Sequence, residues 1–374
     1  MQNKIITYIK HISTYFGASL IPMALMLAIN PLIALNMSPE DYAITGYYSS
    51  FNSLISPLIV FYMLHYYNKR FFELDEVGRL QLKALLFKAL TAFSFVVSVL
   101  CFLALFGYIK IFNDELQFPI MPYLAFSVFA IPLTGKLIAP LVTNVVVFLY
   151  LFIKNRKLLQ IKSSWRDFGE ILQFCWPLTI GAMLGYFSSG FDKTFLESVG
   201  NVTEYGFYIV GSSIAGYLTT FSTSISSTFQ PDIYEAIAKN NNRLLVKTIA
   251  LQISLIAVTV VIFILLCPLV IRILTAGRYV DSTVYARIIS VSTITSAIYY
   301  IINNYTIAKG YPRLYLYTTV ISSILIVILM PMVVKHFEYL GGAWMVSGSF
   351  VILAIVNIIL LYFCKIFQSK KYIR

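Results

Sequence analysis

The sequence predicts an all-α polytopic membrane protein: two parallel-repeat helical bundles around a central cavity, the first bundle incomplete, with about 10–11 transmembrane segments. Three observations predict it. First, 59% of the 374 residues are hydrophobic and only 12% are charged, with mean hydropathy +0.80, whereas a soluble domain carries about 25% charge. Second, the apolar residues fall in runs of about 20, the helix length that crosses a hydrocarbon core of about 30 Å. The runs are continuous rather than alternating, which favours helices over a barrel. Third, a short stretch near residue 41 recurs near residue 204.

In order, the apolar segments are Phe16–Leu35, Ala43–Tyr66, Ala84–Ile109, Phe118–Gly135, Leu137–Ile153, Phe168–Gly190, Tyr205–Thr228, Thr248–Val270, Tyr285–Ala308, Leu314–Val334 and Gly341–Phe363. No small-residue cleavage site follows the first, so it is expected to stay as a span. The basic residues orient the set. With the N-terminus in the cytoplasm, 20 of the 28 Lys and Arg residues fall in cytoplasmic stretches and 6 on the opposite side, the bias that the positive-inside rule describes. Both termini then face the cytoplasm. The net charge of +12 is therefore a topology signal, and no nucleic-acid partner is expected.

One region conflicts with this count. Asp114 and Glu115 lie outside, whereas the basic loop Lys154–Arg166 lies inside, so an odd number of crossings must separate them. Two short segments stand there. Read as one helix they run about 50 Å at about 1.5 Å per residue, and Pro122, Pro132 and Pro140 offer kink points. A single net crossing is the expectation. The expected organisation is an N-terminal bundle at 1–153, a cytoplasmic basic linker at 154–167 and a six-span C-terminal bundle at 168–374.

The repeat relates Asp41-Tyr-Ala-Ile-Thr-Gly-Tyr-Tyr-Ser-Ser50 to Glu204-Tyr-Gly-Phe-Tyr-Ile-Val-Gly-Ser-Ser213: acid, Tyr, small residue and Ser-Ser align at one offset. Two lobes of the same orientation follow, as in parallel-repeat transporters. Polar residues share helical faces within the spans. Ser213, Tyr217, Thr220 and Ser224 are spaced 4, 3 and 4 in a segment rich in hydroxyls, Asn52 lies on such a face of the second segment, and Asn303 ends one in the ninth. Small polar residues also let helices pack closely; three such faces favour a hydrated cavity. Asn30-Pro31 and Pro177 interrupt the first and sixth segments.

The acidic residues all fall in loops or at span ends, so no intramembrane carboxylate is available for ion coupling. Lys88, Lys136 and Lys193 are the deepest cations. They either snorkel or pair, Lys193 with Asp192 or Glu197, or they line a cationic lumen for an anionic head group. The four cysteines (Cys101, Cys175, Cys267, Cys364) lie in apolar runs and the three histidines are scattered, so neither metal nor disulfide spacing is visible. There is no phosphate-binding Gly-rich loop with its Lys-Ser/Thr, and no extramembrane domain to hold a soluble catalytic site. No enzyme activity and no cofactor is expected.

Asn30-Pro-Leu-Ile-Ala-Leu-Asn-Met-Ser-Pro-Glu-Asp-Tyr42, Pro177-Leu, Asp192-Lys193, Glu204-Tyr-Gly-Phe-Tyr208 and Phe229-Gln-Pro-Asp-Ile-Tyr234 together resemble bacterial Wzx-type polysaccharide (O-antigen) flippases, of the multidrug/oligosaccharidyl-lipid/polysaccharide exporter superfamily. The resemblance runs over nearly the whole chain, with diffuse motifs. It implies two six-span lobes and flipping of an undecaprenyl-pyrophosphate-linked oligosaccharide by alternating access during surface polysaccharide biosynthesis. Its implied partners are that glycolipid, membrane lipid and polysaccharide polymerases. Sugars would face the hydroxyls and amides, and pyrophosphate the cations. The chain departs from the family's twelve spans: Ala130–Gly135 leads directly into Lys136–Leu141, where the fifth family span would stand. A non-transporting homologue is thus one alternative. A cation-coupled multidrug exporter is another, although Phe16–Leu35 lacks the carboxylate such exporters usually carry. A membrane-embedded polymerase or acyltransferase would need a large periplasmic loop or clustered His and Asp, and neither is present.

Overall fold

The computed structural model describes residues 28–70, 74–112, 149–150, 152–161, 168–239, 241–308, 311 and 313–371. These residues are helical or in turns, with no strand among them. Phe118–Gly135, nearly all of Leu137–Ile153, the parity question and Lys136 lie outside the described residues, as does the side chain of Asn52. Contacts divide the chain into two compact units, Met1–Gly46 with Phe187–Arg374, and Tyr47–Tyr186.

The chain runs through α1 (28–36), α2 (Pro39–Val60), α3 (Met63–Arg70) and α4 (Glu76–Phe112), then, after the 3-10 turn Arg156–Gln160, α5 (Phe168–Leu184). It continues through α6 (Tyr186–Ser189), α7 (Phe191–Glu197), α8 (Val202–Ala238), α9 (Asn242–Leu274), α10 (Ser282–Ser290), α11 (Ser292–Ala308) and α12 (Arg313–Lys371). Five helical stretches of the described residues are long and apolar enough to cross a membrane: Glu76–Val97, Phe168–Ser189, Asn242–Leu274, Ser282–Thr306 and Arg313–Cys364. The protein is therefore a multi-pass helical membrane protein. Helix α9 shows why such a helix suits lipid: Val258, Val261, Leu265 and Leu269 are exposed, whereas Gln252, Ile256, Val260 and Cys267 are buried. In lipid the apolar face points outward and the polar side chain inward. Pro31 and Pro177 do not break their helices, since 28–36 and α5 are helical through them. Neighbouring helices and side chains in a membrane protein can satisfy the carbonyl that proline frees.

The unit Tyr47–Tyr186 is built on Met63 and Tyr66 of α3, Leu85, Leu86 and Ala89 of α4, and Ile171 and Cys175 of α5. Arg70 closes its edge on Glu170 at 2.6 Å, a partly exposed pair that contributes little by itself.

In the other unit α12 is two helices joined at a kink. Glu338 leaves helical geometry (φ 46, ψ −129). A Cβ at Gly341 would lie 2.9 Å from the Val333 carbonyl, eight residues back, a separation of about 12 Å along a continuous helix. Gly342 meets Leu196 Cδ1 of α7, only 2.5 Å from where its own Cβ would stand. The missing side chains at this corner let the chain turn against α7.

Candidate functional site

Two polar arrangements stand out in the unit formed by Met1–Gly46 and Phe187–Arg374. The first gathers the loops predicted to lie outside the cytoplasm. Helix α1 ends there, and a helix end leaves its last carbonyls without internal partners. Here most of them are met. Met37 N donates to Ile33 O at 2.9 Å and Asn36 Nδ2 to Leu32 O at 2.8 Å. Arg278 Nη1 donates to Ala34 O at 3.0 Å and Leu35 O at 2.5 Å, and Tyr279 Oη to Met37 O at 2.5 Å. A cation is well placed at the negative end of a helix. Helix α2 then starts on a capping box: Ser38 N donates to Asp41 Oδ2 (2.9 Å), and Asp41 N to Ser38 Oγ (3.2 Å), with Pro39 at the first helical position.

Against this start lies the start of α8. Thr203 Oγ1 donates to Glu40 Oε1 at 3.2 Å. A Cβ at Gly206 would overlap the Pro39 carbonyl oxygen, and one at Gly46 would overlap the Ile209 side chain. The Glu40 carboxyl is held below its usual range by a backbone hydrogen bond, then by the Ser38 hydroxyl, against a smaller cost of burial. Burial pushes the Tyr279 phenol up to about 12, with the Arg278 guanidinium opposing. The motif residues of α7 and α8 also meet. Tyr208 Oη donates to buried Asp192 Oδ2 at 2.5 Å, Tyr205 Oη to Lys193 O at 2.8 Å, and Tyr285 Oη to Glu204. Tyr339 Oη, from the α12 corner, bonds the Asn201 backbone on both sides.

The second arrangement is a cavity of about 230 Å³ bounded by α8, α9 and α11. Its wall includes Thr219, Ser222, Thr223, Ser226 and Ser227 of α8, Gln252 of α9, and Ser296, Tyr300 and Asn304 of α11, with no charged side chain among its lining residues. Gln252 is 2% exposed; its Nε2 donates to Ser226 Oγ at 2.9 Å, and its Oε1 accepts no hydrogen bond.

The sequence-predicted residues distribute as follows. Asn30 and Tyr217, 187 positions apart, are brought together, Asn30 Nδ2 donating to Tyr217 Oη at 2.6 Å. Ser213 and Thr220 are exposed on the same face of α8, and Ser224 is buried. That face is not the one lining the cavity, which belongs to Thr219, Thr223, Ser226 and their neighbours. Lys193 donates to Ser189 O at 3.3 Å and lies 3.6 Å from Asp192 Oδ2. Lys88 sits in the other unit, where its ammonium donates to Ile161 O at 2.7 Å. Asn303 accepts from Asn357 Nδ2 at 3.4 Å, and Thr306 Oγ1 donates to Asn357 Oδ1 at 2.8 Å, a buried ladder between α11 and α12. Gln252 is one of the lining residues that sequence reasoning missed. Its signal was a lone amide inside the apolar run Thr248–Val270. Among the described residues no group of three His, Cys, Asp or Glu could hold a metal.

No family model matches the chain, and no curated protein matches it. A solved structure does: an inward-facing conformation of a multidrug resistance MATE family transporter of the MOP superfamily, at TM-score 0.64 and 14% identity, covering 96% of this chain and 95% of that one. The chain has the fold of that transporter. At this identity the likeness is one of architecture, and function has to be argued from the residues.

Proposed function

We propose that the chain is a membrane transporter that carries an amphipathic solute across a bacterial inner membrane by alternating access. The observation that carries this reading is the fold likeness over 96% of the chain, joined to hydroxyl- and amide-bearing helix faces inside an otherwise apolar molecule. The two-bundle organisation (1–153, 154–167, 168–374) is part of the proposal and has its own support. Glu40 and Thr203 are 163 residues apart, the offset of the sequence repeat, and so are Gly46 and Ile209. Contact between equivalent positions is what a two-fold axis passing between them produces.

Two substrate classes follow. The solved structure is of a multidrug transporter, which favours drug export over the lipid-linked oligosaccharide. The uncharged, hydroxyl-rich cavity and the absence of a carboxylate from Phe16–Leu35 favour the glycolipid, with Lys193, Lys88 and Lys136 as candidate cations for its pyrophosphate. Expression in two bacterial hosts separates them, one lacking its drug pumps and one lacking its polysaccharide flippase. Dye efflux that stops with an ionophore identifies an exporter; restored surface polysaccharide identifies a flippase. Neither activity from a normally inserted chain would contradict transport and leave a non-transporting homologue.

Topology is tested alongside. Reporter fusions after Arg166 and after Arg374 are expected to report cytoplasm, and one near Val199 periplasm. A periplasmic signal after Arg166 would overturn the assignment of the second bundle.

A further inference from the structure

We infer that the surface formed by the start of α4 and the 3-10 turn Arg156–Gln160 holds the phosphate of an anionic membrane phospholipid. The inference goes beyond the transporter reading: it concerns the lipid around the chain and holds whatever the chain carries.

The two stretches are fastened together. Leu158 of the turn is buried, and Phe152 lies against Phe87 of α4 with ring centroids 6.0 Å apart. Lys88 Nζ donates to Ile161 O at 2.7 Å and ties the end of the turn to α4. Residues 77–88 and 149–161 carry six Lys and Arg and no Asp or Glu. Four of the six, Lys83, Lys154, Arg156 and Lys157, are exposed, and among the described residues none of these four pairs with a carboxylate. The acids that precede them in α4 are turned to other work or distant. Asp75 Oδ1 accepts from Gly78 N at 2.9 Å, and Glu76 stands seven residues from Lys83, about 10 Å along the helix axis.

Positive charge at a span end serves topology on its own. What singles out this patch is the apolar surface beside the charge. Leu149, Tyr150 and Ile153 are exposed, as is Leu80 on α4. Tyr150, Ile153, Lys154 and Lys157 are spaced 3, 1 and 3, which places them on one helical face. The Lys154 ammonium lies 5.7 Å from the centre of the Tyr150 ring. Within about 10 Å that face passes from an aromatic and an aliphatic side chain to two cations. A bilayer passes from acyl chain to phosphate in the same order, with Tyr at the boundary and Lys and Arg at the anionic surface. An acidic protein would meet the cations alone. A phospholipid meets them with its phosphate and meets Tyr150 and Ile153 with its acyl chain.

Native mass spectrometry of the purified full-length chain in detergent tests it, because it resolves the first bound lipid and gives its affinity without any transport. The probes are phosphatidylglycerol, phosphatidylcholine with the same acyl chains, a polyprenyl phosphate and a short glutamate peptide. Phosphatidylglycerol is expected to bind at least about tenfold more tightly than phosphatidylcholine. Each cation near an anionic surface is worth roughly fivefold. Lys83→Gln is therefore expected to weaken phosphatidylglycerol about fivefold, and Arg156→Gln with Lys157→Gln more than that, with phosphatidylcholine unchanged. Arg243→Gln with Lys247→Gln, exposed at the start of α9, removes the same charge elsewhere and is expected to leave the affinity within about twofold. Should the Arg156 and Lys157 double variant fail to insert, Lys83→Gln, outside that loop, decides. Equal affinity for the two phospholipids, no loss in the α4 and turn variants, or equal loss in the two double variants overturns the site. Polyprenyl phosphate that displaces phosphatidylglycerol at a tenth of its concentration overturns it in favour of a carried lipid. Glutamate-peptide binding that the same variants abolish, with no preference between the phospholipids, overturns it in favour of an acidic protein.

Discussion

Joining Glu40→Cys to Thr203→Cys with a short, cleavable thiol cross-linker is expected to stop transport almost completely, and cleaving the linker to restore it. Both positions are exposed, and their native side chains meet at 3.2 Å. The link would clamp the start of α2 onto the start of α8, where Arg278 and Tyr279 also hold the last carbonyls of α1. Alternating access requires a transporter to close one side while the other opens. If these contacts are the closure on the predicted outer side, a covalent bond there removes the outward-open state. The four native cysteines have to be replaced first. Two milder variants calibrate the effect. Arg278→Ala and Tyr279→Phe release the α1 carbonyls without a clamp. In the Glu40→Cys background each is expected to open this side more often, so that the introduced thiol reacts faster with a membrane-impermeant reagent. Full transport with both cysteines completely cross-linked would show that these contacts are permanent packing.

Much of this architecture was legible in the sequence, and specific features explain the rest. Run length and hydropathy place the spans because lipid imposes a length and an apolar surface on any crossing helix. The gap between Leu314–Val334 and Gly341–Phe363 contains Glu338, where α12 leaves helical geometry. The repeat put Asp41–Ser50 and Glu204–Ser213 in correspondence, but correspondence does not say that the two stretches touch. Contact at Gly46 and Ile209 depends on how the helices cross, which no local pattern encodes. The cavity face of α8 was harder still. Hydroxyls surround that helix, so a spacing of 4, 3 and 4 selects one polar face among several. Ser213, Tyr217, Thr220 and Ser224 make a valid face, and α9 and α11 happen to meet the adjacent one. Lys193 shows a further limit. A cation in a span end reads equally as a ligand or as a partner of its neighbour, and only coordinates supply the 3.6 Å to Asp192.

Adding one methyl group at Gly206 is expected to destabilise the protein by roughly 2–3 kcal/mol, the upper range for overpacking. The same change at Gly216 is expected to be neutral or to stabilise it by about 0.5–1 kcal/mol. Both glycines lie in α8, so helix propensity favours alanine equally at each. What differs is the surroundings. A Cβ at Gly216 meets nothing within 4 Å, whereas one at Gly206 overlaps the backbone carbonyl of Pro39. A carbonyl at the start of a capped helix cannot rotate away as a side chain can, so α2 as a whole must move. Gly46→Ala is the intermediate case, because it meets the side chain of Ile209. Shortening that side chain makes room, and Gly46→Ala with Ile209→Ala is expected to be less destabilised than the two single effects summed, a coupling that contacting residues show. Denaturant unfolding of the purified variants in detergent measures all of this. Equal stability of Gly206→Ala and Gly216→Ala would mean that α2 and α8 do not make their close approach at Pro39 and Gly206 in the folded protein.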